Sequence, residues 1–285
     1  MSGVKFHWPQ NKRIAVSALL MFEVWSEGKA PPYSAQTSPL KPGTLDHSGI
    51  NYSYYGGYSG AQRLARTMSD FDMRGTFCTS ARCIDIFPET VTELVERGHD
   101  IAAHGITQDD MLSYHSPQEQ EEIINRCVDA FERHTGKRPE GWISPTLGWT
   151  PETIGLIAKA RLNWYGDLNY LDLPKMLNTE HGSVVGIPVT DFSDLRVFRS
   201  NPHDLVDVYE DTFDYLYRHE PTSMITFVMH CHWGGRPLMV AAFRQVLEYM
   251  ARYPDVWFTS HGEIARWSRE LGIDAPSYSE RFPMR

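Results

Sequence analysis

The sequence predicts an α/β fold built as a (β/α) barrel, and three observations point there. Seven short runs rich in apolar and β-branched residues (14–22, 75–79, 100–103, 141–144, 162–167, 224–230 and 256–259) alternate with amphipathic segments. That alternation is the signature of βα units around a parallel sheet. Helix punctuation falls between the runs. Ser116-Pro117-Gln118-Glu119 combines an N-cap, a proline at the first helical position and a glutamate that closes a capping box; Thr150-Pro151 and Ser260-x-x-Glu263 open later helices by the same logic. Gly98 and Gly136 stand where helices stop. Finally, 285 residues without a linker or internal repeat suit a single catalytic domain over 1–285, with seven or so units around one core.

One region breaks the rhythm. Residues 27–58 are rich in Pro, Ser, Gly and Tyr with no period, and so read as a long loop serving as a lid or a subunit contact.

Composition excludes several classes. The chain is 41% apolar and 12% aromatic, as globular proteins are, and no stretch approaches the roughly 18 apolar residues of a membrane span. Its N-terminus lacks an apolar signal region, which makes the cytoplasm the expected location. Cys78, Cys83, Cys127 and Cys231 show no CxxC spacing and read as reduced thiols. A formal charge of −9, without clustered Lys and Arg, argues against nucleic acid as a partner.

In α/β barrels catalytic groups come from the C-terminal ends of the strands. Here the first strand ends in Phe22-Glu23-Val24-Trp25, the third runs through His99-Asp100-Ile101-Ala102-Ala103 into His104-Gly105, and the sixth ends in His230-Cys231-His232-Trp233-Gly234-Gly235-Arg236-Pro237. A lone strand-end His is more often a hydrogen-bonded structural residue. A carboxylate and three imidazoles at three strand ends, flanked by glycines, supply a general base, a general acid and potential metal ligands.

These segments resemble the motifs of the polysaccharide deacetylase (carbohydrate esterase 4-like) superfamily. Residues 97–105 are similar to its second motif, with Arg74-Gly75-Thr76-Phe77 as the strand before it. Gly141-Trp142-Ile143-Ser144-Pro145, the stretch from Tyr165-Gly166-Asp167 to Leu173-Pro174, and His230-x-His232-x-x-Gly235-Arg236-Pro237 follow in the order of the later motifs. The resemblance spans about residue 13 to residue 270 and implies a distorted seven-stranded (β/α) barrel. Sugar deacetylases of this family hold a divalent cation with an Asp of the first motif and two His of the second. Here Val24 or Trp25 stands in the Asp position and Gln108 in that of the second His; neither Val nor Trp offers a lone pair, and an amide oxygen is a poor zinc donor. The third motif carries Ser144 where the family has arginine.

This pattern resembles the allantoinase-like and cyclic imide hydrolase branch, which keeps the barrel without the metal. The resemblance implies a hydrolase opening the C–N bond of a small cyclic amide, imide or ureide, with no cofactor, no membrane association and, as in that branch, a homotetrameric assembly. Glu23 stands in the family's base position, and burial among Phe22, Val24 and Trp25 is expected to raise its pKa. His104 and His230 are the candidates for polarising the carbonyl and protonating the leaving nitrogen, in either assignment, with the Gly105 or Gly235 backbone as further donors. Trp25, Ser144, Asp167, His232 and Trp233 are candidate substrate-binding residues. Tyr54 and Tyr55 are further aromatic walls, and Glu27, followed by Gly28, is a second carboxylate ranked below Glu23. Two other readings stay open: a zinc-dependent N-deacetylase of an amino sugar, with His230 and His232 joined by His104 or Glu23 as ligands, and a non-catalytic binding protein on a degenerate barrel.

Overall fold

A computed structural model of the chain describes residues 6–34, 40–41, 43–189, 192–197 and 201–283. Its centre is β1 (Ile14–Phe22), which runs parallel to β2 (Thr76–Thr79) on one side and to β8 (Ser223–His230) on the other. All nine β1 residues are buried. A strand covered on both faces reads as a continuous apolar run, and IAVSALLMF is one.

The sheet continues through β3 (Asp100–Ala103), β4 (Gly141–Trp142), β5 (Trp164–Leu168), β6 (Lys175–Thr179) and β7 (Gly182–Pro188), in the spatial order β6-β7-β5-β4-β3-β2-β1-β8. β9 (Val256–Thr259) pairs with the start of β1. Only β6 is antiparallel, as one arm of a hairpin with β7. The sheet curls into an open barrel, and beyond β7 the described residues meet β8 at the bridge Ser193 to Val228.

Helices α1 (His47–Tyr55), α2 (Ala61–Ser69), α3 (Cys83–Ile86), α4 (Pro88–Glu96), α5 (Pro117–Thr135), α6 (Thr153–Lys159), α7 (Asp194–Val197), α8 (His203–His219), α9 (Pro237–Met250), α10 (His261–Leu271) and α11 (Tyr278–Arg281) complete the fold. α5 and α10 open on the expected capping boxes at Ser116 and Ser260, and Gly136 ends α5 at φ 71°. α6 begins at Thr153 rather than at Pro151, because the Thr150 amide is taken by the Thr153 hydroxyl at 3.0 Å.

Side-chain parity sorts the core into two layers. From β1, Ile14, Val16, Ala18, Leu20 and Phe22 face the helices, while Ala15, Leu19 and Met21 face the barrel interior beside Ala102 of β3 and Val228 of β8. Successive strand residues alternate between faces. Glu23, His104 and His230 each follow an inward-facing residue by two, so all three arrive at the interior of the barrel mouth.

The stretch 27–58 is a loop only in its first part; residues 35–39 and 42 lie outside the described residues. α1 begins at Asp46, whose side chain caps Gly49, and passes through a π-helical turn over 56–60 directly into α2. Gly56 and Gly57 at the end of this stretch, and Gly60 just beyond it, are there for packing. A Cβ on Gly60 would lie 1.8 Å from the Cys231 carbonyl oxygen, so only glycine lets this helix rest against the 230–235 turn. The β6–β7 hairpin and α8 also went unmarked among the apolar runs: β6 is largely exposed, and glycines interrupt β7.

Candidate active site

Glu23 is 2% exposed, and three imidazoles surround its carboxylate. His104 Nε2 lies 3.4 Å from Oε1, His230 Nε2 4.0 Å from Oε1, and His232 Nδ1 4.0 Å from Oε2. Burial alone would raise the Glu23 pKa, as its neighbours in sequence suggest. The structure reverses that expectation: the charge of His230 foremost, with the hydrogen bond from His104, holds the carboxyl below its ordinary value. Glu23 is therefore ionised at neutral pH.

The imidazoles differ in what holds them. His104 Nδ1 lies 2.7 Å from the Ile143 carbonyl oxygen. A carbonyl only accepts, so Nδ1 is protonated and donates to it, while Nε2 is the atom turned to Glu23. His230 Nδ1 sits 2.6 Å from Asp194 Oδ1, and the other carboxylate oxygen accepts the His230 backbone N–H at 2.7 Å. Burial disfavours the charged ring, but Asp194 and then Glu23 overcome it and push His230 up to about 9. His232, fully buried, goes the other way, to about 3, because desolvation prevails over Glu23. Its Nε2 lies 3.3 Å from the Tyr33 hydroxyl, with the Tyr33 ring stacked on it. At one carboxylate stand a charged imidazole and a neutral one.

Asp194 is the buried carboxylate beside His230 that the motifs did not reveal. It opens α7, just past the β7 strand end, and is completely buried. Reading SVVGIP as a strand places Asp194 at a barrel strand end, where carboxylates merit attention. The turn accommodates it closely: a Cβ on Gly234 would lie 2.3 Å from Asp194 Oδ2.

A cavity of about 230 Å³ opens over this cluster, lined by Glu23, His104, His230, Gln108, Ser144 and Tyr33 together with apolar side chains such as Met21, Ile143 and Val228. A larger cavity, of about 580 Å³ between α2 and α9, is lined by arginines and holds none of these groups. Ser144 is clamped from behind, its N–H donating to Asp167 Oδ1 at 2.8 Å and its hydroxyl accepting from Trp142 Nε1 at 2.9 Å. Asp167, pushed up to about 6 by burial, supports the cavity wall and does not line it.

The remaining expected contacts fall elsewhere. Glu27 is exposed, on a loop pinned by Asp109, which accepts from Ser26 N at 2.7 Å and pairs with Lys29. Trp25 packs edge-on against His232, and Trp233 packs against Tyr52; neither lines the cavity. Tyr54 is turned to Phe87 and Tyr55 lies under Arg236, because α1 directs these rings into the helix layer. Tyr33 is the aromatic residue at the cavity.

The residues fit a family-type cation poorly. Donor atoms of one tetrahedral zinc lie about 3.3–3.5 Å apart, given metal–ligand bonds near 2.0–2.2 Å. Only the Glu23–His104 pair has that spacing, while both other histidines stand at 4.0 Å. No group of three or more His, Cys, Asp or Glu among the described residues is arranged to hold a metal.

The family model described as polysaccharide deacetylase matches residues 53–164. The solved structure of Puue allantoinase is 27% identical, with a TM-score of 0.81 over 94% of this chain and 95% of its own. The matched segment and the fold are those of the polysaccharide deacetylase superfamily. A second solved structure, of a probable polysaccharide deacetylase from Pseudomonas aeruginosa PAO1, is 26% identical with a TM-score of 0.84 over the same shares, 94% and 95%. Among characterised relatives, a peptidoglycan deacetylase from Helicobacter pylori is 20% identical over 252 residues, covering 76% of this chain and 86% of the relative. The superfamily's curled, mainly parallel barrel is the one seen here, and its activity is hydrolysis of carbon–nitrogen bonds other than peptide bonds. No helix among the described residues is long and apolar enough to cross a membrane.

Proposed function

We propose that the chain hydrolyses a C–N bond of a small cyclic amide, imide or ureide without a metal ion. The observation that carries the reading is a buried pair of opposite charge at the cavity floor: an ionised Glu23 with the His230 imidazolium 4.0 Å away, in a site whose donors are spaced wrongly for zinc. Amide hydrolysis without a Lewis acid needs a base for water, a donor toward the developing oxyanion and an acid for the leaving nitrogen.

Glu23 takes a proton from water as its oxygen attacks the ring carbonyl. His230 Nε2–H faces the same space and gives its proton to the departing nitrogen, while Asp194 holds the ring in place and stabilises its charge. Ser144 and His104 form the opposite wall. Ring imides and ureides suit this machinery because their nitrogen leaves more readily than that of an ordinary amide. A cavity of about 230 Å³ suits a small ring.

The likeness to a peptidoglycan deacetylase favours a second reading, a metal-dependent N-deacetylase acting on an amino sugar. Metal analysis of the purified protein, with a pH-stat screen of cyclic amides and N-acetylated sugars with and without chelator, separates the two. Ring opening that persists in chelator on metal-free protein supports the first. Stoichiometric zinc with chelator-sensitive release of acetate overturns it. The same reading carries a homotetrameric, cytoplasmic enzyme, which light scattering and fractionation test.

A further inference from the structure

Gln108 stands where sugar deacetylases of this family have a metal-binding histidine, and its side chain is not idle packing. It lines the cavity beside Glu23 and His104, is 9% exposed, and its amide oxygen is buried with no hydrogen-bond partner. Its backbone is fixed, the N–H donating to the Val24 carbonyl at 2.8 Å, so the side chain is anchored at the edge of the site. Buried polar atoms are almost always paired, and an unpaired one beside a cavity calls for a ligand group.

We infer that Gln108 reads the –CO–NH– edge of the ring substrate, pairing carboxamide to ring amide through two hydrogen bonds. The inference rests on the ring-opening reading above and names what selects the ring. A carboxamide presents its oxygen and one N–H side by side. A ring amide is held cis and presents its own oxygen and N–H side by side in the complementary sense. An acyclic secondary amide, such as the N-acetyl group of a sugar, is trans and places the two on opposite edges. Gln108 can meet only half of such a group. The terminal torsion of glutamine is broad and roughly two-fold, so the pairing forms whichever way the amide is turned. A site built to bond an N–H also rejects the analogue lacking it, because its own polar group is then left unpaired.

The test is binding, measured by calorimetry or ligand-observed NMR on the full chain, with succinimide, N-methylsuccinimide and N-acetylglucosamine as probes. The wild type is expected to bind succinimide about tenfold or more tighter than its N-methyl analogue, and N-acetylglucosamine more weakly than either. In Gln108→Met, close in size and without the amide, the preference for N–H over N–CH3 falls to within about twofold. Gln108→Asn, which draws the amide back by one methylene, weakens it in the same direction and serves if the Met variant is unstable. Equal binding of the two imides by the wild type, no binding of either, a preference that survives both substitutions, or N-acetylglucosamine bound as tightly as succinimide each overturns the inference. Binding needs no turnover, so the two readings fail separately. An N–H preference without hydrolysis sinks the ring-opening reaction, and hydrolysis of both imides at equal efficiency sinks the role of Gln108.

Discussion

Asp194→Asn keeps the size of the side chain and removes the charge that keeps His230 protonated. With Asp194 in place His230 titrates at about 9; without that charge, burial works unopposed except by Glu23, and the ring returns to histidine's ordinary 6.5 or below. The sign follows from the direction of the shift: an acid with a raised pKa is fully protonated at neutral pH and is lost as pH rises through about 9. If the ring returns to 6.5, its protonated fraction falls about fourfold at pH 7, about thirtyfold at pH 8 and more than a hundredfold at pH 9. The alkaline limb of log(kcat/KM) therefore moves from about 9 to 6.5 or lower, and the deficit grows with pH. The assay is the pH profile of ring opening, backed by imidazole NMR titration of His230, which reads the same quantity in an inactive protein. A limb that stays near 9 in the variant, or a loss of activity equal at every pH, would refute the assignment of His230 as the acid and Asp194 as the group that charges it.

Glu23→Gln leaves the volume unchanged and removes the base, and is expected to lower kcat by about 10²–10⁴ with the circular dichroism spectrum intact. Burial depresses His99 to about 4 and His232 and His261 to about 3. For these three rings the unfolded chain binds more protons than the folded one below about pH 6.5, so their contribution to stability is fully present above that pH and declines toward pH 3; melting temperatures measured from pH 6 down to pH 4 should fall accordingly. Neither ring nitrogen of His261 has a hydrogen-bond partner, so His261→Phe should hold or raise the melting temperature at pH 7 and flatten its decline in acid, as calorimetry will show. Gly60→Ala drives a methyl into the Cys231 carbonyl and should cost about 1–3 kcal/mol, read as a lowered melting temperature together with lost activity as the His230 turn shifts.

Most of the barrel was legible because its strands are buried on both faces. β1, β3 and β9 were read to the residue, since a continuous apolar run bounded by polar residues has few alternative folds. The convergence of Glu23, His104 and His230 followed from their places at strand ends. What escaped was set by tertiary contact. α1 and the π-helical turn after it are rich in Gly, Ser and Tyr, poor helix formers that are tolerated because the 230–235 turn and Phe87 press against Gly56, Gly57 and Gly60. No residue of β6 is buried and glycines interrupt β7, so the hairpin carries little hydrophobic signal, and missing it hid Asp194. The direction of the Glu23 shift escaped for a related reason: the apolar neighbours in sequence argue for a raised pKa, while the cation that lowers it arrives from more than two hundred residues away.

Among the described residues, β7 and β8 share no strand ladder, and the two margins meet at the Ser193–Val228 bridge. Asp194 follows the first of those residues and His230 lies two beyond the second. The His230–Asp194 pair is thus assembled across this joint, and the charge on His230 depends on how firmly the two edges of the sheet stay together. A ligand that drew those edges inward would strengthen the ion pair at the moment of encounter, and one that wedged them apart would weaken it without touching Glu23.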